Sequence, residues 1–171
     1  MIRTADISDC GKFRWRLERR WADGPVVCFV MLNPSVADAL QDDPTVRRCI
    51  AFAQAWGFSG LSVLNLYPFR ATKVSDLKKA MKSIDVTGGE RGNGAFAWAM
   101  ISDLVIAAWG SHASAVASER FFAITDPKPI WCLALNDDWT PVHPLYQKKT
   151  LTPMQFHRAE GLDWRDALKA S

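Results

Sequence analysis

Polar side chains that could bind or activate a small molecule stand at the ends of apolar runs in this sequence. Amide, carboxylate, hydroxyl and imidazole groups can position water, transfer protons and bind polar ligands. If the runs are parallel strands, these side chains meet at one edge of a sheet and form one ligand site. The candidates are Asn33, Ser35 and Asp38 near residues 26–32, Asn65, Tyr67 and Arg70 near residues 61–66, Trp109 and Ser111 near residues 104–109, and His143 and Tyr146 beyond residues 129–135.

Three carboxylates follow the first of these runs closely: Asp38, Asp42 and Asp43. Hard oxygen ligands of this kind suit a magnesium ion. Asp43 also precedes Pro44 and a helical pattern, which is the usual arrangement of an N-cap followed by proline at the first helical position. We favour capping over metal binding, and predict no metal or other cofactor except under the magnesium alternative given below.

Basic residues form two further candidate groups. In residues 12–21, Arg14 and Arg16 alternate with aromatic and aliphatic side chains, so a strand would place them on one outer face. Together with Trp15 they would suit a nucleic-acid backbone, although a charged face also protects an edge strand. Arg47 and Arg48 lie in the first turns of the predicted helix at residues 45–56, where an anion could bind.

Apolar runs alternate with helical patterns along the chain, which predicts a mainly parallel sheet covered by helices. We expect one domain over residues 1–171, a three-layer α/β/α sandwich that opens with a β-hairpin turning at Asp23-Gly24. The glycine-rich residues 83–94 are predicted to form a mobile loop, and residues 152–169 an amphipathic helix.

The composition is that of an ordinary soluble globular protein, with 49% hydrophobic and 23% charged residues among 171. A formal net charge of +3 permits a polyanionic partner without requiring one. No secretory signal and no apolar run of membrane-spanning length is visible, so we expect a cytoplasmic protein without a membrane partner. The four scattered cysteines are expected to be reduced, three of them in the core.

Five stretches resemble motifs of the domain-of-unknown-function 1643 family. The resemblance follows the chain in order from about Arg14 to Tyr146, and the family name assigns no reaction. The stretches are Met-Leu-Asn-Pro-Ser-x-Ala-Asp at residues 31–38, Asp-Asp-Pro-Thr-x-Arg-Arg at 42–48, Asn-Leu-x-x-x-Arg-Ala-Thr at 65–72, Ala-Trp-Gly at 108–110 and His-Pro-Leu-Tyr at 143–146.

Three of these motifs also resemble, more distantly and in the same order, the strand-end motifs of uracil-DNA glycosylases. This resemblance implies a glycosylase-like fold in which Asn33, or Asp38 beside it, positions a hydrolytic water. It implies that Asn65 binds the edge of the base and that His143 stabilises negative charge on the departing base. Such roles match what N-glycosidic cleavage needs: a held water and support for a leaving anion.

The sequence therefore predicts a protein that acts on a nucleobase, nucleotide or nucleic acid, with DNA-glycosylase-like hydrolysis as its reaction. One alternative is a magnesium-dependent phosphoester hydrolase that uses Asp38, Asp42 and Asp43. The other is a non-catalytic module that binds nucleic acid through the basic hairpin around Trp15.

Overall fold

A seven-stranded sheet runs through the computed structural model, which describes residues 1–169. Its spatial order is β1-β2-β4-β3-β5-β6-β7. In chain order the strands are β1 (Ile2–Ile7), β2 (Arg14–Arg20), β3 (Val26–Met31), β4 (Gly60–Asn65), β5 (Leu104–Ala107), β6 (Ile130–Cys132) and β7 (Met154–His157).

The four central strands are parallel. The strands that flank them, β2 and β7, are antiparallel to them, and β1 at the edge runs in the same direction as the central strands. β3 pairs in parallel with β4 and β5, and β5 pairs in parallel with β6. β1, β2 and β7 join through antiparallel pairings. The sheet is therefore mixed, rather than mainly parallel as predicted.

The chain does open with a β-hairpin, but its strands differ from those predicted. β2 pairs with β1 on one side and with β4 on the other, so β4 lies between β2 and β3. The Asp23-Gly24 turn therefore does not join two paired strands, and the prediction of a hairpin there is wrong. The local turn signal was genuine, yet turn chemistry does not specify which strand becomes the neighbour.

Helices cover both faces of the sheet, as the α/β/α prediction requires. Alternate residues of β3 point to opposite faces: Phe29 packs with α1, and Val30 packs in the cluster that contains the other helices. Phe29 and Val30 are both fully buried. Because both faces of β3 are covered, its residues form an unbroken apolar run. The helices are α1 (Pro44–Ala55), α2 (Val74–Ala80), α3 (Gly89–Ala95), α4 (Ala97–Ile101) and α5 (Ala115–Thr125).

Two segments differ from their predicted local structure. The glycine-rich stretch, predicted as a loop, contains α3, whose Gly92 packs too closely to the backbone of Thr87 for any side chain to fit. The tail contains β7 and a 3₁₀ helix at Trp164–Leu168 in place of one amphipathic helix. In the tail tertiary packing overrides the helical periodicity, and in residues 83–94 it overrides the loop preference of glycine.

Three of the four cysteines, Cys28, Cys49 and Cys132, are buried as predicted, and Cys10 is exposed. None of the helices between residues 1 and 169 has the length and apolar character needed to cross a membrane.

Candidate functional site

A cleft of about 750 Å³ opens at the carboxyl ends of the central parallel strands. Its volume lies within the range of small-molecule sites, and open α/β sheets bind their ligands at this edge. Segments that follow β3, β4, β5 and β6 all contribute to its walls. Eight of the candidate residues named from the sequence line it: Arg14, Asn33, Ser35, Asp43, Trp109, Ser111, His143 and Tyr146.

The loop after β3 owes its shape to Asn33 and Arg70. Pro34 ends the strand because it has no N–H to donate to a neighbouring strand. The side-chain amide of Asn33 donates to the backbone oxygen of Ala71 over 2.7 Å and to that of Pro34 over 3.0 Å. Nε of Arg70 donates to the backbone oxygen of Ser35. These bonds fasten the loop after β3 to the loop after β4 and so form one wall of the cleft.

His143 lines the cleft as a largely buried side chain. Its Nδ1 accepts the backbone N–H of Leu145 over 3.3 Å, so the neutral ring carries its proton on Nε2. Burial lowers the pKa of His143 below 6.5, and the charge of Asp43 opposes that shift in part. The ring is therefore neutral at physiological pH and available as a hydrogen-bond donor.

Asp43 is a cleft residue that the sequence offered as a helix cap and as a magnesium ligand, but not as part of the ligand cleft. It caps α1 as predicted, since its Oδ1 accepts the N–H of Val46 over 2.8 Å. The carboxylate also lines the cleft, and its charge acts on both His143 and Arg14. Its position in the sequence could have identified it. An acidic N-cap that follows the loop after a parallel strand lies at the edge of the sheet where ligands bind.

Arg14 is buried, with 2% of its surface exposed, so its predicted place on an outer basic face is wrong. Its Nη1 donates to the backbone oxygen of Ala37 over 2.8 Å, and its Nη2 to Oδ1 of Asn65 over 3.4 Å. Burial lowers the pKa of Arg14 to about 10, which still leaves it charged at neutral pH. Arg14 also lines the cleft, where its guanidinium supplies a fixed positive charge.

Arg16 does not form an outer basic face either. Its guanidinium lies 3.5 Å from the ring centroid of Trp98 and forms an ion pair with Glu18. Leu17 of β2 is buried in the cluster that contains α1, and Arg16 packs against Trp98 of α4. The predicted regular alternation of β2 is interrupted, because its pairing register with β1 shifts between Arg16 and Arg14. No residue of β2 is fully exposed, so the strand has no solvated basic face.

The three clustered carboxylates do not converge. Asp38 accepts the backbone N–H groups of Gln41 and Leu40, which hold its pKa below the usual value. Asp42 forms ion pairs with Arg3 and Arg19. Within residues 1–169, no group of three histidine, cysteine or acidic side chains is arranged to hold a metal ion. The arrangement of these side chains therefore gives no support to the predicted Asp38, Asp42 and Asp43 metal site.

Asn65 and Tyr67 lie behind the cleft rather than in its walls. Asn65 is buried, and its Oδ1 accepts the bond from Arg14. The Tyr67 hydroxyl lies 2.9 Å from Oγ of Ser114, the residue that caps α5. Both residues support the walls of the cleft from behind.

Arg47 and Arg48 lie outside the cleft walls, although the first turn of α1 lines the cleft at Pro44, Thr45 and Val46. Arg47 donates to the backbone oxygen of Asp42, and Arg48 lies over the ring of Phe52 at 5.2 Å. The two arginines therefore do not form the predicted anion site at the start of α1.

Two aromatic side chains of the cleft have opposite environments. Trp109 is buried and packs edge-on against Phe121, with ring centroids 5.9 Å apart. Tyr146 is 92% exposed and has a positive φ of 71°, a conformation that a residue with a side chain rarely adopts. Trp109 therefore closes the floor of the cleft, and Tyr146 stands free at its mouth.

A family model described as protein of unknown function, DUF1643, matches residues 14–145. No curated protein and no solved structure matches the chain.

Proposed function

The chain belongs to the DUF1643 family, whose matched span contains Asn33, Asp43 and His143, and we propose that it hydrolyses the N-glycosidic bond of a nucleobase-bearing substrate. The observation that carries the proposal is the pairing, in one cleft, of a carboxylate with a neutral imidazole whose tautomer is fixed. The proposal includes a fold of the uracil-DNA-glycosylase type, which the order of the three strand-end motifs supports.

His143 supports the leaving group. As the bond between C1′ and the base nitrogen breaks, its electron pair leaves with the base, which becomes an anion. The Nε2–H of the neutral imidazole donates a hydrogen bond to that anion, and solvent later protonates the base. A neutral donor placed beside the departing base stabilises developing charge without transferring its own proton.

Asp43 positions and activates the attacking water. The water oxygen bonds to C1′, and Asp43 accepts one of the water's protons before passing it to solvent. The negative charge of Asp43 also stabilises the positive charge that develops on the sugar ring. Asp43 takes the role that the motif resemblance gives to Asn33 or to Asp38. The Asp38 carboxylate is already bound to two backbone N–H groups and is not part of the cleft.

Asn33 holds the cleft in shape rather than activating water. Its amide nitrogen is committed to two backbone oxygens, so only Oδ1 is left for a ligand. We assign Oδ1 of Asn33, together with Ser35 and Ser111, to contacts with the base and the sugar. Tyr146 at the mouth offers an aromatic face on which a base can stack.

Base release tests this function directly. The purified chain is incubated with free nucleosides and with single- and double-stranded oligonucleotides that carry uracil, mismatched or modified bases. Released base is measured by chromatography, and abasic sites by alkaline strand cleavage. We expect release from at least one substrate class, with a loss of about 100-fold or more in His143→Ala.

The matched control is His157→Gln, because His157 lies on β7 and stacks on Phe122, away from the cleft. Activity equal to wild type is expected for this control. If no substrate in the panel loses its base, N-glycosidic hydrolysis is refuted, and a cleft that still binds nucleosides would mark a binding module instead.

A further inference from the structure

Two shallower grooves continue the cleft across the surface. The middle groove, defined by Cys10, Lys12, Phe69 and Arg70, shares the wall residues Ser35, Val36, Ala71 and Thr72 with the cleft. The outer groove, defined by Lys79, Ser83 and Ile84, shares Lys12, Phe69 and Asp76 with the middle groove. The three depressions therefore form one continuous track that begins at the cleft.

Lys12, Arg70 and Lys79 line the two grooves and outnumber their one acidic lining residue, Asp76. Between residues 70 and 82 there are five basic residues and one acidic residue, Asp76. The lysines of this segment are exposed, and so is Lys12 on the other side of the middle groove. Within residues 1–169 none of these lysines forms an ion pair. Unpaired, solvated ammonium groups are the usual partners of phosphate.

An aromatic side chain lies between these charges. Phe69 lines both the middle and the outer groove, and its ring meets Phe13 edge-on with centroids 5.8 Å apart. Its half-buried position fixes the ring while leaving part of it accessible. Basic residues interleaved with a fixed aromatic ring are what proteins use to hold a single strand through its phosphates and its bases.

We propose that this track binds a single-stranded polynucleotide whose backbone follows Lys12 and Lys79 while one base enters the cleft. The inference rests on the proposed function, since it names a polymer as the substrate of the same site. A single strand fits because an unpaired base can enter the cleft without the cost of leaving a duplex. The predicted phosphate contacts through Arg14 and Arg16 are thereby replaced by contacts through the exposed Lys12 and Lys79.

Fluorescence anisotropy with a labelled oligothymidylate of about 12 nucleotides tests the track. Each phosphate contact contributes about 0.7 to the slope of log K against log salt for a single strand. Lys12→Gln/Lys79→Gln should therefore lower the slope by about 1.4 and weaken binding by about 25-fold at 0.1 M salt. Arg158→Gln/Arg165→Gln removes the same charge from exposed positions away from the three grooves and should leave the slope unchanged.

Cys10 gives a second readout that does not depend on catalysis. It is the one exposed cysteine among residues 1–169 and lines the middle groove. A saturating oligonucleotide should slow its reaction with a thiol reagent such as DTNB by at least fivefold. No protection, or equal salt slopes in both double variants, would overturn the proposal, as would tighter binding of a duplex of the same length.

The two proposals fail in different ways. If wild type releases base from free nucleosides, and neither binds oligothymidylate nor gains thiol protection, the track is refuted and the hydrolase stands. If the oligonucleotide binds with the expected salt slope and protects Cys10 while no base is released, the track stands and the hydrolase is refuted.

Discussion

The backbone N–H of Leu145 points at Nδ1 of His143, and the two atoms lie 3.3 Å apart. The bond is local, because it spans only two residues and is formed by the turn at Pro144. It leaves the proton of the neutral ring on Nε2. Burial lowers the pKa of His143, and the opposing charge of Asp43 offsets that shift only in part. The turn and the burial together therefore make His143 a neutral donor.

The pH dependence of stability should report on His143. The pKa of this residue lies below 6.5 in the folded chain and near 6.5 in the unfolded chain, so the unfolded state binds more protons as the pH falls through this region. The stabilisation associated with a neutral His143 is thus present above pH 6.5 and is lost as the pH falls through the folded-state pKa. Urea unfolding of wild type and His143→Gln should show the wild type losing more free energy of unfolding between about pH 7.5 and pH 5. Parallel curves would mean that His143 is not held neutral.

Substitutions of Asp43 should separate capping from chemistry. Asparagine caps helices as well as aspartate does, so Asp43→Asn should leave the free energy of unfolding within about 0.5 kcal/mol of wild type. It removes the carboxylate, so base release should fall by about 100-fold or more. Asp43→Ala should lose about 1 kcal/mol of stability as well. Undiminished base release in a stable Asp43→Asn protein would exclude Asp43 as the residue that activates water.

Arg14→Ala should destabilise the fold strongly. The change leaves the backbone oxygen of Ala37 and Oδ1 of Asn65 without their buried donors and creates a void at the base of the cleft. We expect a loss of about 2–5 kcal/mol in urea unfolding. Lys12→Ala, two residues away but exposed, should change stability by less than about 0.5 kcal/mol. Similar stabilities for the two variants would show that Arg14 is not a structural residue.

Two glycines of α3 should respond to alanine in opposite directions. A Cβ at Gly92 would overlap the backbone oxygen of Thr87, whereas a Cβ at Gly94 meets no heavy atom within 4 Å. Gly92→Ala should therefore lose about 1–3 kcal/mol. Gly94→Ala should gain about 0.5–1 kcal/mol, because alanine loses less conformational entropy in a helix. Thermal unfolding of both variants checks the pair, and a stabilised Gly92→Ala would contradict this packing of α3.

Local patterns in the sequence identified the central strands and α1, including its cap at Asp43. The apolar run at residues 26–32 predicts the strand β3, and Asp43-Pro44 predicts the start of α1. Both predictions are possible because a buried strand and a helix cap are determined by residues that are close together in the sequence. The position of β2 beside β4 could not be predicted in this way. That pairing joins residues such as Leu17 and Val63, which lie far apart in the sequence.

The same distinction between local and long-range determinants applies to the residues of the site. Residues directly after β3 and β5, such as Asn33 and Ser111, fall in the cleft because strand direction alone places them there. Asp38 does not, because its carboxylate is taken up by backbone N–H groups within its own loop, a local choice that residue type does not reveal. The exposure of Arg14 was also misjudged, since charge argues for solvent unless a buried acceptor is known.

The insertion of β4 between β2 and β3 governs when this chain can fold during its synthesis. Before residues 60–65 leave the ribosome, β3 has no partner strand, and the only complete pairing is the β1–β2 hairpin. A two-stranded hairpin is marginally stable by itself in water. The nascent chain must therefore keep the apolar residues of β3 unpaired until β4 arrives and joins the two halves of the sheet.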